Sequence, residues 1–125
     1  MFPSHDRAQK FVKDTRFTCF RRFLENTLLM GIDTVFYEDV KRHKGNIASQ
    51  VYGGFVAILM DFCKSNGVGC VGINVSAIRK YLLGRGKAKK VEVFERMKSM
   101  FPNLKDHNEG DALALMEVVL HVYCN

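Results

Sequence analysis

The chain has 125 residues, 47% hydrophobic and 26% charged, with 10 Gly and only 2 Pro; this is the composition of one globular domain over residues 1–125, not of a disordered or low-complexity chain. The longest apolar run, Phe55 to Met60, falls far short of the roughly 18 residues that span a bilayer, and the opening MFPSHDRAQK lacks an apolar signal core, so neither a membrane partner nor secretion is expected. Nineteen Lys and Arg against 13 Asp and Glu leave a net charge of +6, which favours a polyanionic partner.

From about Asp6 to Met30, apolar residues including Phe11, Phe17, Phe20, Phe23, Leu24 and Leu28 recur mostly at three- and four-residue steps with basic residues between them. That period predicts an amphipathic helix, broken near Thr15 and stopped by Gly31, with the aromatic stripe in the core. Ile32 to Val40, IDTVFYEDV, changes to strand propensity with Glu38 at the end of its apolar run. The basic loop Lys41, Arg42, His43, Lys44, Gly45 leads into a helix over Asn46 to Ser65, with Val51, Phe55, Ile58, Leu59 and Phe62 on its buried face. Gly53 and Gly54 inside it cost about 1 kcal/mol each relative to Ala, which predicts a close backbone approach there. Asn66 and Gly67 end that helix.

Val68 to Ile73 reads as a second buried strand, and Asn74 or Ser76 caps a helix running to Leu83. The turn GRGKAKK precedes a helix from about Lys87 to Met100, with Val91, Phe94, Met97 and Met100 inward. A last helix, Asn108 to Tyr123, is expected to bury Leu113, Leu115, Met116, Val119 and Leu120. The order predicts an α/β fold with parallel strands joined through a crossover helix. Two strands are few for such a sheet, which needs neighbours and cover on both faces. Cys19, Cys63, Cys70 and Cys124 show no metal-binding spacing and read as small buried hydrophobes in a reducing cell.

Chemistry concentrates in three places. No acid falls between Asp61 and Glu92, a stretch that holds Lys64, Arg79, Lys80, Arg85, Lys87, Lys89 and Lys90; it is either a phosphate-facing surface or a merely solvated one. Glu38 stands at the carboxyl end of a strand, where open α/β sheets place their ligands. Asn108 and Asp111, three apart, share a helical face. If those elements meet, Glu38 and Asp111 can hold one divalent metal through hard oxygens, with Asn108 or His107 beside them, as suits magnesium and metal-assisted phosphodiester hydrolysis. By themselves such acids are more often caps and dipole partners than metal ligands. The Gly84-Arg85-Gly86-Lys87 turn has the wrong spacing for a nucleotide P-loop but can offer amides and cations to a DNA or RNA phosphate. No serine has the setting of a nucleophile elbow.

The blocks YEDVKRHKGNIASQVYGG, INVSAIRKYLLGRGKAKK and DHNEGDALAL, in this order and spacing, resemble those of phage RuvC-like Holliday junction resolvases over about Phe20 to Leu120. The resemblance implies an RNase H-like fold, acidic residues around magnesium ions (manganese as a substitute), symmetric cleavage of branched DNA, a homodimer, and the cytoplasm of a bacterial or phage-infected cell. Glu38 matches the second acid of the family and Asp111 the acid of its final helix. Asn108 stands where many members carry Asp or His, with Asp106, His107 or Glu109 as neighbours able to compensate. Lys90, in the GxGxAxK pattern, matches a lysine near the scissile phosphate, and Arg79 and Lys80 another basic position. Lys41, Arg42, Lys44, Arg85, Lys87 and Lys89 would track the DNA backbone.

The sequence departs from the family at its start, where members carry a central strand with a first catalytic Asp. The expectation is thus a RuvC-type core, N-terminally incomplete, with parallel strands flanked by helices. Its expected function is magnesium-dependent endonuclease action on branched DNA. A catalytically inactive nucleic-acid-binding protein of the same fold, or a plain interaction domain, are the alternatives.

Overall fold

The structure, a computed structural model, describes residues 15–28, 30–41, 43 and 45–124. Along the chain come α1 (Arg16–Leu28), β1 (Thr34–Asp39), α2 (Asn46–Ser65), β2 (Gly69–Asn74), α3 (Val75–Leu83), α4 (Lys90–Met100), α5 (His107–Val118) and a π-helical turn, Val119–Tyr123. β1 and β2 pair in a two-stranded sheet. Their direction is parallel, because Thr34 lies beside Gly69 and Tyr37 beside Gly72; a crossover as long as α2 is what such a pair requires. The α/β class with parallel strands flanked by helices is as expected. No helix among the described residues is long and apolar enough to cross a membrane. The chain divides into two compact units, Met1–Val35 with His43–Cys70 and Phe36–Arg42 with Val71–Asn125.

In the first unit, the side of α1 that carries Phe17, Phe20 and Leu24 meets α2. The Phe17 and Phe20 rings lie 4.9 and 5.2 Å from that of Phe55, and Leu24, Leu59, Phe62 and Cys63 are buried. A Cβ on Gly54 would sit 2.7 Å from the Phe17 ring, the close approach its sequence position predicts, whereas nothing lies within 4 Å of one on Gly53. Three expectations need correction. The aromatic stripe is wider than the surface that covers it, so Phe23 stays 61% exposed. Val51, Phe55 and Ile58 are only half-buried. Among the cysteines Cys63 alone is buried, while Cys19 and Cys124 are exposed. Residues 6–14 of the expected first helix lie outside the described residues. α2 ends in a Schellman motif: Gly67 takes φ +67°, and the Val68 and Gly67 amides donate to the carbonyls of Cys63 (2.8 Å) and Lys64 (3.5 Å).

The second unit holds a continuous core of Ile73, Ile78, Val93, Met97, Leu104, Ala114 and Val118, bordered by Phe36, Phe94, Leu113 and Leu115. Met97 has no exposed surface, and burying a side chain of that size is worth about 1.5–3 kcal/mol. The inward face of α5 is Gly110, Ala114 and Val118, at four-residue steps. Met116 and Leu120, expected inside, are exposed, because small residues are what allow α5 to lie close to α4: a Cβ on Gly110 would stand 3.2 Å from the Phe94 ring. Likewise α4 turns Val93 and Met97 inward and leaves Val91 and Met100 exposed. Val91 is two residues from Val93 and so points to the other side of the helix, and Met100 is its last residue.

Candidate metal and nucleic-acid site

The groups of interest belong to the second unit, each placed by a local device. β1 delivers Glu38 at its carboxyl end. At the end of β2 the Asn74 side chain accepts the Ser76 amide at 2.8 Å and starts α3, which presents Arg79. α3 stops at Gly84, whose φ of +77° suits glycine. Gly86 then folds back onto the first turn of α3; a Cβ there would lie 2.5 Å from Ser76 Oγ, and the Ser76 hydroxyl donates to the Gly86 carbonyl at 3.4 Å. Glu92 fixes the start of α4 by accepting the Lys89 amide (2.8 Å) and the Arg85 guanidinium (2.7 Å), contacts that hold its carboxyl below the usual range. Lys90 is the first residue of α4. Asp106 caps α5 by accepting the Glu109 amide at 2.9 Å, and Asp111 follows on that helix beside the buried Gly110.

These pieces surround a cleft of about 720 Å³ lined by the carboxylates Glu38, Asp39 and Asp111 and the cations Lys41, Arg79, Lys87 and Lys90. A second hollow of about 280 Å³ shares Glu38 and Asp111 with it and adds Asn108. Lys90 Nζ is 3.6 Å from Asp111 Oδ2, and Lys41 Nζ is 2.8 Å from Asp39 Oδ2. Burial, and secondly the negative charge of Asp111, push the Glu38 carboxyl above its ordinary range; Lys90 and Arg79 pull it part of the way back. Two half-buried acids that feel one another, faced by two cations, form a site whose charge balance a ligand would alter.

Glu38, Asn108, Asp111, Lys90, Arg79, Lys41 and Lys87 thus share the walls of these two hollows. Lys80, Arg85 and Lys89 are exposed and outside that lining, and Arg85 is engaged by Glu92. Arg42 and Lys44 lie outside the described residues. Of the neighbours expected to compensate for Asn108, Asp106 is occupied as a cap and the His107 ring packs 4.3 Å from that of Phe94. Among the described residues no group of three His, Cys, Asp or Glu is placed to hold a metal. The side-chain oxygen donors are all hard: the carboxylates of Glu38, Asp39 and Asp111, the carboxamides of Asn74 and Asn108 and the Ser76 hydroxyl. That set fits magnesium or manganese held by one or two carboxylates and completed by a substrate phosphate. Asn74, Ser76 and Gly86, which by sequence are caps and turn residues, also line the cleft; the signal for Asn74 and Ser76 is their place at the end of a strand, where ligands bind.

No protein-family model matches the sequence, and no curated protein matches it. Among solved structures, RuvC from Thermus thermophilus matches with a TM-score of 0.64 at 20% identity, over 80% of this chain and 63% of that one. The structure of T. thermophilus RuvC in complex with Holliday junction substrate matches with the same values. The likeness establishes a RuvC-like fold, and the chain spans about 63% of the RuvC chains it matches.

Proposed function

We propose that the chain is a magnesium-dependent, structure-specific endodeoxyribonuclease of RuvC type, acting on Holliday junctions or related branched DNA as a homodimer, with manganese able to replace magnesium. The observation that carries this reading is the meeting of Glu38 and Asp111 with Lys90, Arg79, Lys87 and Lys41 on one cleft, within the fold of a protein solved with a Holliday junction. Glu38 and Asp111 hold the ion, with Asn108 as a further oxygen donor. When bound, that ion supplies charge neutralisation and orientation at the scissile phosphate. Lys90 donates to the phosphate oxygens as negative charge grows on them. Arg79, Lys87 and Lys41 contact backbone phosphates, and the exposed Lys80 and Lys89 add to the basic surface.

One observation favours a second reading, an inactive DNA-binding protein of the same fold: among the described residues no group of three His, Cys, Asp or Glu is placed to hold a metal, and Asp39, the third acid on the cleft, is paired with Lys41, whereas two-metal catalysis relies on shared ligands. Incubating a four-way junction with magnesium separates the two. The nuclease reading expects cleavage by the wild type and a loss of about 10²–10³-fold in Glu38→Gln, with junction binding retained. Salt-sensitive binding without cleavage by the wild type supports the inactive reading, and no salt-dependent DNA affinity at all rejects both.

A further inference from the structure

We propose that Lys90 is a tethered stand-in for the divalent ion, pairing with Asp111 while the ion is absent and moving to the substrate phosphate once the ion arrives. This deepens the reading above and rests on Glu38 and Asp111 being the ion-binding carboxylates. The ammonium of Lys90 is 3.6 Å from Asp111 Oδ2, and the exposures of the two side chains differ, 58% for the lysine and 29% for the aspartate. The lysine is therefore free to swing on its flexible stem, while the carboxylate is held in the wall.

Charge balance gives the motion its direction. Lys41 is paired with Asp39, so the remaining charges on the cleft are the two negative ones of Glu38 and Asp111 and the three positive ones of Arg79, Lys87 and Lys90. A divalent ion entering at the carboxylates leaves an excess of positive charge beside them, so the ammonium in contact with Asp111 is repelled from it. Arg79 is half-buried and Lys90 is the mobile member. The cleft that Lys90 lines continues past Lys87 and Arg79, so a backbone phosphate docked among those cations is the anion within its reach. The same ammonium thus competes with the ion before binding and assists the phosphate after it. Gly110 sets the geometry, because the close packing of α5 on α4 at Phe94 brings Asp111 within reach of the first residue of α4.

Binding of manganese alone, followed by the loss of the free-ion paramagnetic resonance signal at low salt and without DNA, tests this on the full chain. Lys90→Met is expected to bind manganese roughly two- to fivefold more tightly than the wild type, the range of a partly exposed ion pair, and yet to cleave junctions more slowly. Lys90→Arg, which keeps the charge, is expected to bind as the wild type does. Lys105→Met, which removes a charge elsewhere on the same unit, is expected to change nothing. Unchanged or weaker binding by Lys90→Met overturns the proposal, as does an equal gain in Lys105→Met. A wild type that holds no manganese would remove the ion-binding reading itself, whereas a wild type that binds beside an indifferent Lys90→Met removes the stand-in role alone.

Discussion

In the second unit, side chains from β2, α3, α4, α5 and the Leu104 segment form one continuous cluster, and Arg79, Lys90 and Asp111 stand on helices that build it. Among the described residues of the first unit, the buried hydrophobics are Leu24, Leu59, Phe62, Cys63 and Val68, while Phe23, Met30 and Ile47 are largely exposed. The difference shows where positional accuracy is needed. A site whose parts must meet within a few ångströms has to be carried by elements locked through packing, and the proposed cleft lies wholly on the well-packed unit.

The strongest way to break this contrast is Met97→Ala. Removing a side chain with no exposed surface should cost about 2–5 kcal/mol, read as a fall in the urea midpoint, and should take the cleft with it. Phe23→Ser, on the exposed flank of α1, should stay within about 0.5 kcal/mol of the wild type. Equal losses in the two variants would contradict the division between the units.

A smaller effect sharpens the account at the site. Burial and Asp111 raise the Glu38 carboxyl, so its ionised form opposes folding above the folded-state pKa. That opposition is relieved as pH falls through the raised value and is gone below the ordinary carboxylate range. With a chelator present, Glu38→Gln should therefore melt higher than the wild type at pH 7, and the gap should close towards about pH 4; a variant that melts lower at pH 7 would show that Glu38 is structural.

Glu92 has the opposite sign. The Lys89 amide and Arg85 depress its carboxyl, so it adds stability above the ordinary range that is lost as pH falls through the depressed value. Glu92→Ala should lower the melting temperature slightly at pH 7 and match the wild type in acid. A difference that persists in acid would mean that lost packing, rather than the charged cap, explains it.

Much of this was legible in the residues. Asn46 to Ser65, bounded by the Asn66-Gly67 stop, is the observed helix to the residue, because length, period and stop signal agree. Glu38 could be singled out because it stands at the carboxyl end of a strand, and Asp111 because it shares a helical face with Asn108 and matches the final-helix acid of the resolvases that the sequence resembles. Three features escaped the pattern. Hydropathy favours large residues, so it chose Met116 and Leu120 over the Gly110, Ala114 and Val118 face that close helix packing selects. Charge counting grouped Arg85 with the phosphate-facing cations, although its partner is Glu92, seven residues on, across a turn. The walls formed by Asn74, Ser76 and Gly86 depend on how the turn folds back on α3, which no local propensity encodes.

The central claim is that Glu38 and Asp111 serve one cation. Manganese affinity measured for the wild type, Glu38→Gln, Asp111→Asn and the double variant tests it most directly. If the two carboxylates share the ion, each single substitution removes most of the affinity and the double removes little more. Independent, additive losses, or affinity untouched by either change, would contradict it.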